Sequence, residues 1–116
     1  MRFKGSVAVK IAQAIELANI LRPNELGEAA LTTLLAELEG SLAVEVRGEH
    51  PEALTKPLAE DELILPLPFD CVYWTYLVAM IDLAVRDIES YKTSNALYCQ
   101  ARDAYARWYQ RIGGRS

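Results

Sequence analysis

Apolar residues recur at steps of three and four along four stretches of the chain, which is the period of a helix with one buried face. The first stretch ends at Pro23, because proline does not continue a helix. Asp70 and Ser94 are suited to cap the third and the fourth helix. The pattern therefore predicts helices at about residues 6–21, 28–47, 70–92 and 94–111.

Residues 48–68, between the second and third helices, have no helical period and hold four of the five prolines. Within them Leu63, Ile64 and Leu65 form an apolar run, which we expect to be docked on the domain or extended. Loops of this length are uncommon in compact domains. The predicted fold class is all-α: residues 1–116 form one small four-helix domain, built from two helical hairpins joined by a long Pro-rich, acidic loop.

The predicted third helix is apolar over an arc of roughly 220°, wider than one partner helix can cover. Either this helix is the central element of the protomer, or another subunit covers the edge formed by Trp74, Val78 and Val85. Nine of the ten aromatic residues lie between Phe69 and Tyr109, and tyrosine and tryptophan are enriched at interfaces. We therefore favour oligomerisation.

The charges are distributed unevenly, although the net charge is only −4. Residues 1–24 carry four bases and one acid (+3), residues 25–62 two bases and ten acids (−8), and residues 63–116 six bases and five acids (+1). General binding to duplex DNA requires a basic stripe that neutralises phosphates. The acidic middle third therefore argues against a DNA-binding repressor.

Reactive side chains are scattered along the chain. Cys71 and Cys99 stand 28 positions apart, and the only histidine, His50, has neither of them beside it. We therefore predict no enzyme, no cofactor and no bound metal. No stretch approaches the roughly 18 uninterrupted apolar residues of a membrane span, so we also expect no membrane partner.

Two surfaces are candidates for protein contacts. One is apolar and combines the edge of the third helix with the run in the long loop. The other consists of arginines on the outer side and at the end of the fourth helix, which form either a solvated cationic face or a docking patch for an acidic partner. The candidate residues are Trp74, Val78, Val85, Leu63, Ile64, Leu65, Arg102, Arg107 and Arg111.

A longer pattern of turns and packing residues runs from about residue 15 to residue 112. Its elements are Pro23-Asn24, Leu38-Glu39-Gly40 with Glu45-Val46, Leu63 to Pro68 with Phe69-Asp70, Tyr73, Tyr76-Leu77, Ile81-Asp82, Ile88-Glu89, Tyr91, Ser94, Tyr98, Tyr105, Trp108-Tyr109 and Arg111. This pattern resembles the head-to-tail connector (head completion adaptor) proteins of tailed bacteriophages and prophages of Gram-positive bacteria.

The resemblance implies an all-helical structural protein that docks on the portal ring and extends its DNA channel toward the tail. Its partners would be further copies of itself in a ring matching the twelve-fold portal, the portal protein, and a downstream tail-completion or stopper protein, while DNA only passes through. Its place would be the head–tail interface of the virion, after synthesis in the host cytoplasm. The alternative is a small phage or prophage regulatory protein that acts by helix-mediated protein binding.

Overall fold

A computed structural model describes residues 9–48, 62–63, 65 and 68–112 of the chain. Val9–Lys10 (β1) pairs antiparallel with Glu62–Leu63 (β2), and the other regular elements of these residues are helical, so the all-α prediction is confirmed. The helical elements are α1 (Ile11–Leu21), α2 (Glu28–Ser41), a π-helical turn (Leu42–Val46), α3 (Cys71–Ala84) and α4 (Ile88–Arg111).

α3 is the central helix of the protomer, because α1, α2 and α4 all pack against it. The contact with α4 is the most extensive. The wide apolar arc is therefore covered mostly by the protomer's own helices, which is the first of the two interpretations above. The buried side chains of α3 are Val72, Tyr73, Thr75, Leu77, Val78, Ala79, Ile81 and Asp82.

The second helix carries a stripe of leucines at three- and four-residue steps, and this stripe faces the core, as such a period predicts. Leu31, Leu35 and Leu38 of α2 and Leu42 of the π-helical turn are buried. The chain enters α2 through Gly27, whose φ of +94° lies in the region that favours glycine. Opposite this stripe, α1 contributes its own buried residues to the same core: Ile11, Ala14, Ile15 and Ala18.

Both N-terminal helices differ from their predicted bounds. The first begins at Ile11, because Val9 and Lys10 are extended and pair with β2; residues 6–8 lie outside the described residues. The second ends its α-helical part at Ser41 and continues as the π-helical turn. A single period of apolar residues does not distinguish these two helical geometries over so few residues.

The predicted break between the third and fourth helices, at residues 93–95, is wrong, because the chain turns at residues 85–87. Ser94 is not a helix cap: it lies inside α4, 4% exposed, and its hydroxyl donates to Asp82 on α3 at 2.8 Å. The apolar period continues through Val85 and Ile88, and neither glycine nor proline marks the real turn. For these two reasons the hydrophobic period did not predict the turn at residues 85–87.

Asp70 immediately precedes α3, as predicted, but its side chain accepts no capping hydrogen bond. A backbone hydrogen bond closes the first turn of the helix instead: the Tyr73 N–H donates to the Asp70 carbonyl at 2.9 Å. Asp87 is the acid that caps a helix, because its carboxylate accepts a hydrogen bond from the Ser90 N–H at 3.2 Å. Most of the predicted loop, including Ile64, lies outside the described residues, so the two-hairpin arrangement stays a prediction.

Candidate protein-interaction surface

A buried carboxylate joins the ends of α1 and α3 to the first two turns of α4. Asp82 is 2% exposed, and its Oδ1 lies 2.8 Å from Nε of Arg22. Nη2 of Arg22 donates to Oδ2 of Asp82 at 3.1 Å, and the Ser94 hydroxyl donates to the same oxygen at 2.8 Å. The Nε–H points at no hydrogen-bond acceptor among the described residues, so charge attraction alone acts at that nitrogen. A buried carboxylate is stable only with such partners, so this cluster holds the three helix ends together.

The turn between α3 and α4 is tight and has a strained residue at its apex. The Asp87 N–H donates to the Asp82 carbonyl at 2.9 Å, and the Arg86 N–H donates to the Leu83 carbonyl at 3.0 Å. These are the two bonds of a Schellman motif. Arg86 occupies the left-handed position of that motif with a φ of +63°, where glycine is usual and another residue costs roughly 1–2 kcal/mol.

Exposed aliphatic side chains concentrate at the same end of the protomer. Two of them end α1 just before Arg22, and three flank the α3–α4 turn just after Asp82, so the ion pair between Arg22 and Asp82 places both groups at the same end of the protomer. Their exposed fractions run from 44% to 67%. We call this surface the apolar end; its residues are Ile20, Leu21, Leu83, Val85 and Ile88.

Charged residues of both signs border the apolar end. Asp87 has its pKa held below the ordinary value, first by hydrogen bonds from the Ser90 hydroxyl and N–H and then by the nearby Arg22 charge. Glu89 is highly exposed, and one of its oxygens lies 3.9 Å from Nζ of Lys92. The exposed Arg86 side chain makes no hydrogen bond or ion pair with another described residue. The apolar end thus carries a cation and acids within a few residues of each other.

The three interface candidates on the third helix are placed differently. Trp74 is partly exposed, and Val85, at 62% exposed, belongs to the apolar end. Val78 is only 7% exposed and packs in the core, so its assignment to an exposed edge is corrected. The reason is that α1, α2 and α4 cover α3 only as far as Asp82, and Val85 lies beyond that point, in the turn after the end of the helix.

The described residues of the apolar run in the long loop, Leu63 and Leu65, are also placed differently from each other. Leu63 lies in β2, with its backbone paired to Val9. Leu65 is fully buried, so it is part of the core and not of a contact surface. Its N–H donates to the Tyr73 hydroxyl at 2.9 Å, and that hydroxyl donates to Oε1 of Glu39 at 2.8 Å. Burial, and then the Glu39 charge, raises the pKa of Tyr73 far above its ordinary value.

The three arginine candidates of α4 also differ in their partners and in their exposure. Arg102 binds inside the protomer, donating to Oε1 of Glu45 at 2.6 Å and to the Tyr98 hydroxyl at 2.9 Å, so it does not form part of a free basic patch. Arg107 is exposed and forms an ion pair with Asp103, one helical turn away. Arg111 is exposed at the end of α4. Only Arg107 and Arg111 therefore face solvent.

The aromatic residues are mostly core residues. Tyr73, Tyr105 and Tyr109 are buried, and the Phe69 ring lies 5.4 Å from the Tyr105 ring and 5.0 Å from the Trp108 ring, between centroids. Packing within the protomer therefore accounts for much of their abundance after residue 69.

The part of the chain that the structure describes holds no group of three or more His, Cys, Asp or Glu side chains able to bind a metal ion. Cys71 and Cys99 are free thiols, and burial, the largest influence, raises the pKa of Cys71. No helix within the described ranges is long and apolar enough to cross a membrane. Comparison with family descriptions, curated proteins and solved structures finds no match to this chain.

Sequence reasoning missed most of the apolar end. Ile20 lies outside the buried face of α1, and it is followed directly by Leu21, so these neighbours cannot both face the core. Asp87 offered a second signal, since aspartate is a preferred helix cap and interrupts the apolar arc. Placing the cap there would have put Val85 and Ile88 on the two sides of a turn. Both signals were present, but neither shows that the two groups lie at the same end of the protomer.

Proposed function

We propose that the chain is a structural virion-assembly protein: a head–tail connector that docks on the portal ring and extends the DNA channel toward the tail. In this proposal two helical hairpins, joined by the Pro-rich acidic loop, form the adaptor domain. Its partners are further copies in a ring, the portal protein and a downstream tail-completion or stopper protein. The sequence pattern quoted above supports the family assignment, and the exposed apolar surface supports a role in assembly.

The observation that carries the proposal is the apolar end. Exposed apolar side chains that concentrate in one region of a small fold mark sites of contact with other molecules. Here five exposed aliphatic side chains lie at one end of the protomer, where Asp82 pairs with Arg22 and Ser94 and joins three helix ends. A rigid base lowers the entropy lost on binding. The surface is therefore suited to protein contact without further folding.

A ring also requires a second, different contact surface on each subunit. The partly exposed Trp74 and the exposed arginines Arg107 and Arg111 are the remaining candidates outside the apolar end. Exposed acids on α2, such as Glu28 and Glu37, offer a surface of opposite charge. We propose that the contacts between neighbouring subunits, and between subunit and portal, draw on these groups.

Co-expression with the portal protein encoded near this chain's gene tests the proposal. We expect co-purification, and electron microscopy should reveal rings stacked on the portal. Val85→Asp, within the apolar end, should reduce co-purification, whereas Leu97→Asp, at an exposed aliphatic position on α4 away from it, should not. A gene that lies away from portal and capsid genes, together with a soluble host protein as the captured partner, would instead favour the regulatory alternative.

A further inference from the structure

We infer that the apolar end is a self-pairing surface: in the absence of other partners, two copies pack their apolar ends together about a twofold axis. Arg86 of one copy then faces Glu89 of the other, and the reciprocal pair forms across the axis. The proposed function rests on the same apolar end, and this inference adds that a second copy of the chain binds there before the portal does.

The composition of the apolar end suits a second copy. A twofold contact brings the same patch together with itself, so the patch must be complementary to itself in shape and in charge. Flexible aliphatic side chains can fit against their own copies, which meets the requirement on shape. Leu83, Val85 and Ile88 provide such side chains around the turn. The hydrophobic effect is non-directional, so two identical apolar surfaces can bind each other as well as two different ones.

Charge complementarity favours the same occupant. The border of the patch carries an exposed cation, Arg86, and an exposed acid, Glu89, three residues further along the chain. They form no ion pair with each other within the described protomer. A twofold axis between them places each one opposite its complement on the other copy, giving two equivalent ion pairs at the rim of the apolar contact.

The backbone at Arg86 gives an independent reason to assign this side chain to an intermolecular contact. Its φ of +63° is strained for an arginine, and glycine would adopt it without strain. Within the described residues, no hydrogen bond or ion pair of the side chain offsets that strain. Strained residues concentrate where they serve contacts and sites. The two backbone hydrogen bonds of the Schellman motif hold this conformation, and the Arg86 side chain stays available for a contact with Glu89 of a second copy.

Pairing of this kind joins two protomers and stops, so it is compatible with a ring built through other surfaces. In the proposed connector, the second copy would leave when the portal occupies the apolar end. The protein alone tests the pairing, whereas binding to the portal tests the proposed function, so the failure of one is distinguishable from the failure of the other.

The first experiment measures the mass of the purified full-length chain as its concentration is raised, by sedimentation equilibrium. We expect a reversible monomer–dimer equilibrium. Ile88→Asp should raise the dimer dissociation constant by about tenfold or more, because it places a carboxylate in the apolar contact. Leu97→Asp is the matched control: both positions are 49% exposed on α4, and this change should leave the constant unaltered. Circular dichroism checks that each variant is folded.

The second experiment reverses the charges at the rim. Arg86→Glu alone, or Glu89→Arg alone, should weaken pairing by about fivefold or more, since each turns two attractions per dimer into two repulsions. The double variant carrying both changes should restore the wild-type constant and its dependence on salt. Restoration is expected if the two positions contact each other directly across the axis. A general effect of net charge does not depend on such a contact.

Three outcomes would overturn the inference. A chain that remains monomeric at the highest soluble concentration has no self-pairing surface. Open-ended association or closed rings that Ile88→Asp abolishes would mean that the contact made by the apolar end is not twofold. Equal loss in Ile88→Asp and Leu97→Asp, or a double charge reversal that stays as weak as the single ones, would place the contact elsewhere.

Discussion

Replacing Asp82 by alanine is the most informative single change, because this carboxylate connects three helix ends. It accepts a hydrogen bond from Nη2 of Arg22 and one from the Ser94 hydroxyl, and it is 2% exposed. The variant Asp82→Ala removes both hydrogen bonds and leaves Arg22 without its ion-pair partner, while the Ser94 hydroxyl keeps the Ser90 carbonyl, at 3.0 Å, as an acceptor. We expect it to destabilise the protomer and to loosen the base of the apolar end.

The size of the effect follows from the burial of each partner. A hydrogen bond to a charged group contributes about 1.5–3 kcal/mol, so two contribute about 3–6 kcal/mol. The Arg22 side chain is 40% exposed and regains hydration once its partner is gone, which reduces the penalty. We therefore expect the free energy of unfolding to fall by about 2–4 kcal/mol.

Urea unfolding, followed by circular dichroism, measures this difference. Asp103→Ala is the control, because Asp103 pairs with Arg107 on the exposed side of α4, where both side chains are more than 60% exposed. Exposed pairs contribute about 0–1 kcal/mol. If Asp82→Ala is no more destabilising than Asp103→Ala, the buried cluster does not hold the helix ends together, and the rigid base assigned to the apolar end is lost with it.

Three further predictions test the placement of individual residues. Val78→Asp should unfold the chain, because it buries an unpaired carboxylate, whereas Val85→Asp should change the free energy of unfolding by only about 0.5 kcal/mol; equal effects in thermal melts would contradict the burial difference. The raised pKa of Tyr73 stabilises the fold fully below pH about 10, and this stabilisation should decline as the pH rises further. Tyr73→Phe should flatten that decline in alkaline urea titrations; an unchanged slope would refute the assignment. Arg86→Gly should stabilise the protomer by up to about 1 kcal/mol, since relief of the left-handed strain exceeds the entropy cost of glycine; calorimetry that finds a loss would contradict strain at the turn.

The sequence allowed prediction of the buried stripe of α2 because neighbours in a helix are set by local geometry alone. Leu31, Leu35 and Leu38 are buried where the period of the stripe puts them. The start of α4 was not predictable from period, since Val85 and Ile88 continue the apolar pattern through the turn. The apolar end was missed for a related reason: residues near positions 20 and 85 come to the same end of the protomer only after folding.

The sequence by itself determined that the chain is all-α, because the hydrophobic period acts within one helix at a time. Only the tertiary structure decided which apolar residues are covered. Val78 and Val85 are seven residues apart, close to two helical turns, yet one is 7% and the other 62% exposed. Neighbouring helices cover α3 as far as Asp82, and the chain turns shortly afterwards, at residues 85–87. That turn, fixed in part by Asp82 reaching Ser94 on the returning helix, leaves the next apolar residues uncovered at the end of the protomer.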